Sequence, residues 1–150
     1  MRRLVVDTSP RQRVEAECAR RGRQAVVRDC ASLLLGDDSD GGLIVVLGGA
    51  HARLILDSGL PESQAYWLRV WAGRGLLWAL DEQTSADALD AVRAGLADPA
   101  WRVREMAAKV VARHSLGDLL SAVVPLRTDA VARVRAAAHR AVAALTKSGA

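Results

Sequence analysis

Two similar stretches near the C-terminus decide the fold: DPAWRVREMAAKVVA at residues 98–112 and DAVARVRAAAHRAVA at residues 129–143. They align without a gap at a spacing of 31 residues, and the alignment extends back to Asp87 and Asp118. The identical pairs include Asp98/Asp129, Arg102/Arg133, Val103/Val134, Arg104/Arg135, Ala107/Ala138 and Val111/Val142. A period of this length, with apolar residues at helical spacing inside it, is typical of stacked helical repeats. The sequence therefore predicts an all-α chain that builds an extended surface rather than an enclosed pocket.

A weaker copy precedes these two and matches them with a shift of 35 residues. Its correspondences are Ser63 with Asp98, Leu68-Arg69 with Val103-Arg104, Ala72 with Ala107, and Arg74 with Lys109. No linker or change of composition divides the chain, and its length fits one domain. We therefore expect one helical domain over residues 1–150. Its expected parts are clear repeats at about 84–145, a degenerate repeat at about 41–80, and a helical cap or further degenerate repeat at about 9–35.

Capping residues and helix breakers predict about eight helices in antiparallel pairs. Ser9-Pro10 and Asp98-Pro99 each combine a capping residue with a first-turn proline. The double glycine at 48–49 weakens a helix, so the surrounding segment is interpreted as one long or broken helix. Pro125 is expected to distort or shorten the helix that contains it. The predicted helices span about residues 10–21, 23–35, 41–58, 63–80, 85–96, 98–114, 118–126 and 131–145, with a fraying tail beyond.

The composition is aliphatic and basic. Hydrophobic residues make up 51% of the chain, but aromatic residues only 3%, and there is no Phe. The formal net charge is +4 and the isoelectric point is about 9.8, which favours acidic partners. Alternatively, the charge reflects the residue usage of a GC-rich genome, since only Lys109 and Lys147 are lysines. The two cysteines, Cys18 and Cys30, are too few for a disulfide framework or a zinc motif, and we expect small buried apolar residues.

The N-terminal stretch MRRLVVDTSP lacks the long apolar region of a signal peptide. The longest apolar stretch, LIVVLGGAHARLIL at residues 43–56, contains two glycines, His51 and Arg53. It is expected to be too short and too charged to span a bilayer. These features predict a cytoplasmic protein without a membrane partner.

The repeat motif resembles the HEAT repeat family and its bacterial HEAT-like relatives, in which an Asp at the inter-helix turn precedes Val-Arg and an Ala-rich helix. The resemblance implies a right-handed α-α superhelix, a short HEAT-like solenoid of about eight helices. It also implies that Asp98, Arg104, Asp129 and Arg135 form a structural ladder between repeats, weakened at one rung by Ser63. The whole chain is similar to a group of HEAT-like proteins from high-GC actinobacteria that share a string seen here as YWLRVWAGRG at residues 66–75. That similarity implies a fold and no activity.

Stacking of the repeats would align equivalent helix positions into rows. The three expected rows are Trp67, Arg102 and Arg133; Arg74, Lys109 and Arg140; and Trp78, Arg113 and Ala144. Such a basic, Trp-containing concave face suits protein hot spots, and it also suits a phosphate backbone with stacked bases. The alternative is an ordinary solvated helix face with a Glu105–Lys109 pair, in which Trp67 and Trp78 belong to the core.

No set of residues indicates catalysis, a cofactor or a metal. His51, His114 and His139 lie in separate elements without metal-binding spacing, and His114 is expected to be packed or to cap a helix. The acidic loop at residues 37–40 lacks the spacing of a calcium site, and LGGAH at 47–51 is interpreted as a helix break.

The sequence therefore favours a non-enzymatic interaction or scaffold module that binds an acidic segment of a partner protein through the concave face. The alternative is a nucleic-acid-binding protein related to the HEAT-like alkylpurine DNA glycosylases, because Trp78 near Asp81 resembles the Trp and Asp of those sites. A third possibility, a partner of a tetrapyrrole or lyase system, has no specific residue behind it. The oligomeric state is left open.

Overall fold

A computed structural model describes residues 8–58 and 64–148 of the chain. Within these ranges the chain forms eight α-helices and no strand, which confirms the all-α prediction. The 3₁₀ segments Gly117–Leu119 and Val124–Thr128 flank α7. Ser63, which takes the aspartate position in the weaker copy, lies outside the described residues. The helices are α1 Pro10–Arg21, α2 Arg23–Leu34, α3 Gly41–Ser58, α4 Tyr66–Ala79, α5 Ala86–Leu96, α6 Trp101–His114, α7 Leu120–Val123 and α8 Ala132–Ser148.

Two of the predicted helix starts have the expected side-chain caps. The Ser9 hydroxyl accepts a hydrogen bond from the Gln12 amide at 3.1 Å, and the Gln12 side chain accepts one from the Ser9 amide at 2.8 Å. The Ser85 hydroxyl accepts from the Ala88 amide at 3.1 Å. These contacts satisfy donors that have no partner within the helix.

The prediction that Asp98 caps α6 is wrong, because the residue at the N-cap is Ala100. The Asp98 carboxylate instead accepts a hydrogen bond from the Ala100 amide at 2.8 Å and closes a turn before the helix. The predicted fraying after residue 145 is also wrong for Thr146–Ser148, which remain helical, and the Thr146 hydroxyl bonds to the Val142 carbonyl at 3.0 Å. Residues 149–150 of that predicted tail lie outside the described ranges.

Helices α4, α6 and α8 lie side by side, with α6 packed against both of the others. On the other side, α5 packs against α6 and α2, and α7 packs against α8 and α5. The helix beside α5 is therefore α2, whereas α3 packs against α1 and α4. This order places equivalent positions of α4, α6 and α8 on neighbouring helices.

The core is built from small and aliphatic side chains, so that helices approach closely. A Cβ added at Gly75 would lie 2.6 Å from the Cys30 sulfur, and one at Gly95 would lie 3.1 Å from the Ala107 Cβ. Cys18 and Cys30 are buried free thiols, as expected for small apolar residues. Burial raises the pKa of Cys30 to about 12, so the protonated thiol is favoured at neutral pH.

Helix α3 is broken at Gly49, whose φ of 64° and ψ of −141° are not helical. Gly48 packs against the Trp71 ring, where an added Cβ would lie 2.8 Å from a ring carbon. The interpretation of 41–58 as a long or broken helix is confirmed in its broken form. Contrary to the sequence-based expectation, α3 is long and apolar enough by length and composition to cross a membrane, although 33% of it is buried inside the fold.

Candidate interaction surface

Arg102 lies among three aromatic rings on the side of α6 that faces α4. Its guanidinium carbon is 4.4 Å from the Trp101 ring centre, 5.4 Å from that of Trp67 and 5.9 Å from that of Tyr66. The Arg102 side chain makes no hydrogen bond or ion pair to any residue that the structure describes. The rings therefore hold the cation by cation–π contacts and leave its N–H donors uncommitted.

Arg133 continues this arrangement from α8. Its guanidinium carbon lies 5.4 Å from the Trp101 ring centre, and its Nε donates to the Glu105 carboxylate at 3.1 Å. We call Trp67, Trp101, Arg102 and Arg133 the Arg–Trp surface. The structure thus brings the first predicted row, Trp67, Arg102 and Arg133, together across three helices.

Trp101 completes this surface and was not among the predicted surface residues, although its equivalent in the weaker copy, Tyr66, is also aromatic. Its equivalent in the next repeat is Ala132, so the repeat comparison did not single it out. Neither Trp67 nor Trp101 is fully exposed or fully buried, since each packs one side against the core. The sequence left open whether Trp67 is exposed or belongs to the core, and each of these alternatives is correct in part.

Lys109, from the second predicted row, forms an ion pair and is therefore less available to bind a partner than expected. Its Nζ lies 3.7 Å from the Glu105 carboxylate, the i,i+4 pair considered as the alternative. Glu105 is only 8% exposed and is shared by Lys109 and Arg133, so it offsets part of the positive charge here. Arg140, from the same row, is exposed and makes no hydrogen bond or ion pair to the described part of the chain.

Arg74, the remaining member of that row, is engaged at the break in α3. Its Nη2 donates to the Leu47 carbonyl at 2.9 Å, and Arg13 donates to the Val46 carbonyl at 2.8 Å and to Leu47 at 3.3 Å. These carbonyls lose their helical partners at Gly49. Burial, together with the nearby Arg13, lowers the pKa of Arg74. Because its donors satisfy backbone carbonyls, we leave Arg74 out of the surface.

The third predicted row also contains a ring and a cation in contact. The guanidinium carbon of Arg113 lies 4.7 Å from the Trp78 ring centre, and that of Arg11 lies 5.0 Å from it. The Trp78 Nε1 is buried without a hydrogen-bond partner. Ala144, the row member on α8, is half-buried. This pair lies at the opposite end of α4 from Trp67.

Three of the four predicted ladder residues, Asp98, Arg104 and Asp129, form a repeated pattern of contacts together with Arg69. Arg69 donates to the Asp98 carboxylate at 2.7 and 3.2 Å, and Arg104 donates to that of Asp129 at 2.9 and 3.1 Å. Each arginine belongs to one repeat and each aspartate to the next. Arg104 holds the pKa of Asp129 below its usual range. Arg135 donates only to the Asp129 backbone carbonyl, at 2.8 Å.

Two of the three histidines, His51 and His114, have packing roles. His114 bonds through Nε2 to the Leu77 carbonyl at 2.8 Å, and burial lowers its pKa. His51 packs edge-on against Trp67 and Trp71, with ring centres 5.6 and 5.3 Å apart. Over residues 8–58 and 64–148, no three His, Cys, Asp or Glu side chains are grouped so as to hold a metal ion.

Comparisons of the chain with protein-family models, with curated proteins and with solved structures gave no match. Function must therefore be argued from the surface itself.

Proposed function

We propose that the protein is a HEAT-like interaction module whose Arg–Trp surface binds an acidic segment of a partner protein. The observation that carries this proposal is Arg102, a cation held by three rings with its hydrogen-bond donors uncommitted. A guanidinium held in one orientation loses little side-chain entropy when it binds a carboxylate. Arg102 would therefore be the anchor of the surface.

The surroundings of Arg102 favour an anion. It lies in the first turn of α6, which contains no acidic residue, so the positive end of the helix dipole adds to its charge. Trp67 and Trp101 supply partly exposed apolar area beside it, as aromatic and arginine residues do at the centre of protein interfaces. Exposed Arg140 and Arg113 would add long-range attraction for an acidic partner.

A protein partner fits these contacts better than a nucleic acid. Arg102 lies over Trp67 and Trp101, and Arg113 and Arg11 lie over Trp78, so these rings are not open for stacking with bases. Glu105 within the surface would repel a phosphate backbone. We therefore propose a protein partner, and the experiment below tests nucleic-acid binding as the alternative.

The HEAT-like arrangement is part of the same proposal. Its support is the ladder, in which Arg69–Asp98 and Arg104–Asp129 repeat the same atoms at nearly the same distances. The adjacency of α4, α6 and α8 provides a second line of support. A chain stacked in this way would present its second helices as one continuous wall.

The test uses fluorescence anisotropy with two probes, a labelled peptide rich in Asp, Glu and Leu and a labelled single-stranded oligonucleotide. Arg102→Gln should weaken binding of the acidic peptide about tenfold, which corresponds to the loss of one charge-assisted contact. The matched control is Arg93→Gln on α5, where the exposed arginine pairs only with Asp90. This control should bind the peptide like the unmodified protein.

Equal peptide affinity for the Arg102→Gln and unmodified proteins would contradict the proposal. Tighter binding of the oligonucleotide than of the peptide at the same salt concentration, with a steep loss as salt rises, would support the nucleic-acid alternative instead.

A further inference from the structure

Arg104, the ladder arginine of α6, makes different hydrogen bonds with the two edges of its guanidinium group. Arg104 Nη1 donates to the Asp98 carbonyl of its own repeat at 2.9 Å. Its Nε and Nη2 form the other edge of the guanidinium and hold the carboxylate of Asp129 in the next repeat. Arg69 holds Asp98 with the same two atoms. One edge of each guanidinium is therefore the connection to the following repeat.

Arg135 makes only the first of these two contacts. Its Nη1 donates to the Asp129 carbonyl at 2.8 Å, as Arg104 does to Asp98. Its Nε and Nη2 contact no carboxylate among the residues that the structure describes. The edge that receives a carboxylate in the two preceding copies is thus unoccupied by the described chain.

The side of α8 around Arg135 differs in burial from the equivalent side of α6. Ala108 and Val111, which follow Arg104 on α6, are both 0% exposed beneath the next repeat. Their equivalents on α8 are His139, which is exposed, and Val142, which is half-buried. Arg135, His139 and Val142 share one face because they are four and seven residues apart. We call these three residues the Arg135 face.

We propose that the Arg135 face binds a second, separate partner protein through an aspartate or glutamate at the start of a helix. The carboxylate would bind the Nε and Nη2 edge of Arg135, as Asp129 binds Arg104, and an apolar side chain of the partner would cover Val142. This contact combines charge complementarity with a geometry that the chain itself uses twice.

A second copy of the chain is a poorer occupant. Its ladder aspartates, Asp98 and Asp129, have side chains only 9% and 7% exposed and are already held by Arg69 and Arg104. The third ladder position is Ser63, which has no carboxylate. A copy could therefore not supply the acid from an equivalent position.

The Arg135 face is distinct from the Arg–Trp surface. Arg133 reaches back to Glu105 and Trp101 on α6, whereas Arg135 is two residues further along α8 and so points to the side of the helix away from α6. The proposal therefore does not depend on the Arg–Trp surface, and substitutions can test the two separately.

The experiment measures binding of a labelled peptide to the full chain by fluorescence anisotropy. The probe is a peptide of residues 118–148, because it carries Asp129 in the segment that Arg104 holds. Arg135→Gln in the protein and Asp129→Asn in the peptide should each weaken binding about tenfold. The two changes together should weaken binding no more than either alone, since they remove one interaction. Arg135→Lys should also weaken binding, because an ammonium group lacks the two-donor edge.

Arg93→Gln on α5 is the control, since the exposed Arg93 pairs with Asp90, belongs to neither surface and should leave peptide affinity unchanged. Circular dichroism of each variant checks that the helices are retained. Binding that responds to Arg102→Gln but not to Arg135→Gln would overturn the proposal while leaving the Arg–Trp surface as a binding site. Binding lost only with Arg104→Gln would mean that the peptide displaces the chain's own last repeat, and it would also overturn the proposal.

Two further results would overturn it. One is the absence of saturable binding at millimolar peptide. The other is a concentration-dependent dimer of the full chain, seen by analytical ultracentrifugation and lost in Arg135→Gln, because the occupant would then be a second copy.

Discussion

The contacts between repeats and the break in α3 use partly buried arginines in different ways. In the repeats, Arg69 and Arg104 each hold a carboxylate of the next repeat with two hydrogen bonds. At the break in α3, Arg13 of α1 and Arg74 of α4 instead hold backbone carbonyls of α3. The first use recurs in two successive copies of the motif, which are visible in the sequence. The second occurs once and depends on a local break.

This difference shows where the charge of the chain is neutralised. Arg69 and Arg104 are each matched by an aspartate, so these repeats gain a directional contact with little net charge. Arg13 and Arg74 face only carbonyl dipoles and lie near each other, which contributes to the lowered pKa of Arg74. The arginines at the break in α3 therefore depend on correct backbone geometry, whereas Arg69 and Arg104 depend on pairing with aspartate side chains.

The largest expected effect is the loss of a ladder pair. Arg104→Ala should lower the free energy of unfolding by about 3 kcal/mol, because it leaves the 7% exposed carboxylate of Asp129 without its counter-ion. Arg135→Ala, the equivalent change in the next repeat, should cost less than about 1 kcal/mol, because it removes one hydrogen bond to a carbonyl. Urea denaturation measures both. Equal losses of stability in the two variants would contradict the conclusion that Arg104 is held by a carboxylate and Arg135 by a carbonyl alone.

Close helix packing in the repeats is tested next. Ala107→Leu and Ala138→Leu should each destabilise the fold by about 1–3 kcal/mol, because both positions are almost fully buried. Ala136→Leu, at an exposed position of α8, is the control and should change stability by less than about 0.5 kcal/mol. Thermal unfolding of the three variants makes the comparison, and unchanged melting temperatures for the two buried variants would refute the packing.

A smaller effect is expected at the break in α3. Gly48→Ala should destabilise the protein by about 1–2 kcal/mol, since its Cβ would lie 2.6 Å from that of Ala52 and 2.8 Å from Trp71. The intrinsic helix preference of alanine offsets part of this loss. Gly117→Ala has no atom within 4 Å of the added Cβ and serves as the control in the same urea experiment. A Gly48→Ala protein as stable as the control would mean that the break tolerates a side chain.

The smallest effect is the pH dependence of His114. Its pKa is lowered by burial and by Arg113, while the Leu77 carbonyl and Asp81 act in the opposite direction. The unfolded chain therefore binds the proton more readily, so the free energy of unfolding should fall as pH drops below the ordinary histidine value of 6.5. His114→Gln should remove this decrease between about pH 7 and 5.5 in urea denaturation. An unchanged pH profile would assign the decrease to another group.

The sequence predicted those features that depend on repetition. The 35-residue shift between the weaker copy and the next repeat placed Arg102 beside Trp67, and the sequence aligned the helices that carry them. It could not show that Arg104 binds a carboxylate with two donors while Arg135 binds none among the described residues, because both arginines end the same Arg-Val-Arg motif. Likewise, Trp101 has no counterpart at Ala132, so its contact with both surface arginines became visible only in three dimensions.

The positive charge that this surface offers to a partner is smaller than the sequence predicts, again because of contacts between distant segments. The row of Arg74, Lys109 and Arg140 follows from spacing alone, but only the fold places Leu47 next to Arg74. Asp98 was predicted to cap α6 because Asp-Pro is a common helix start. In the structure, its carboxylate accepts hydrogen bonds from Arg69 of the preceding repeat. Contacts between distant segments thus override local preference at both residues.

The break in α3 joins three segments that are far apart along the chain. Arg13 comes from α1 and Arg74 from α4, so the angle between the two halves of α3 is set only when all three helices are assembled. We expect the backbone amides of α1 and α3 to exchange with solvent deuterium as one cooperative unit, at a rate set by opening of this junction. Loss of the hydrogen bonds from Arg13 to α3 would then expose the backbone amides of α1 and α3 to solvent together.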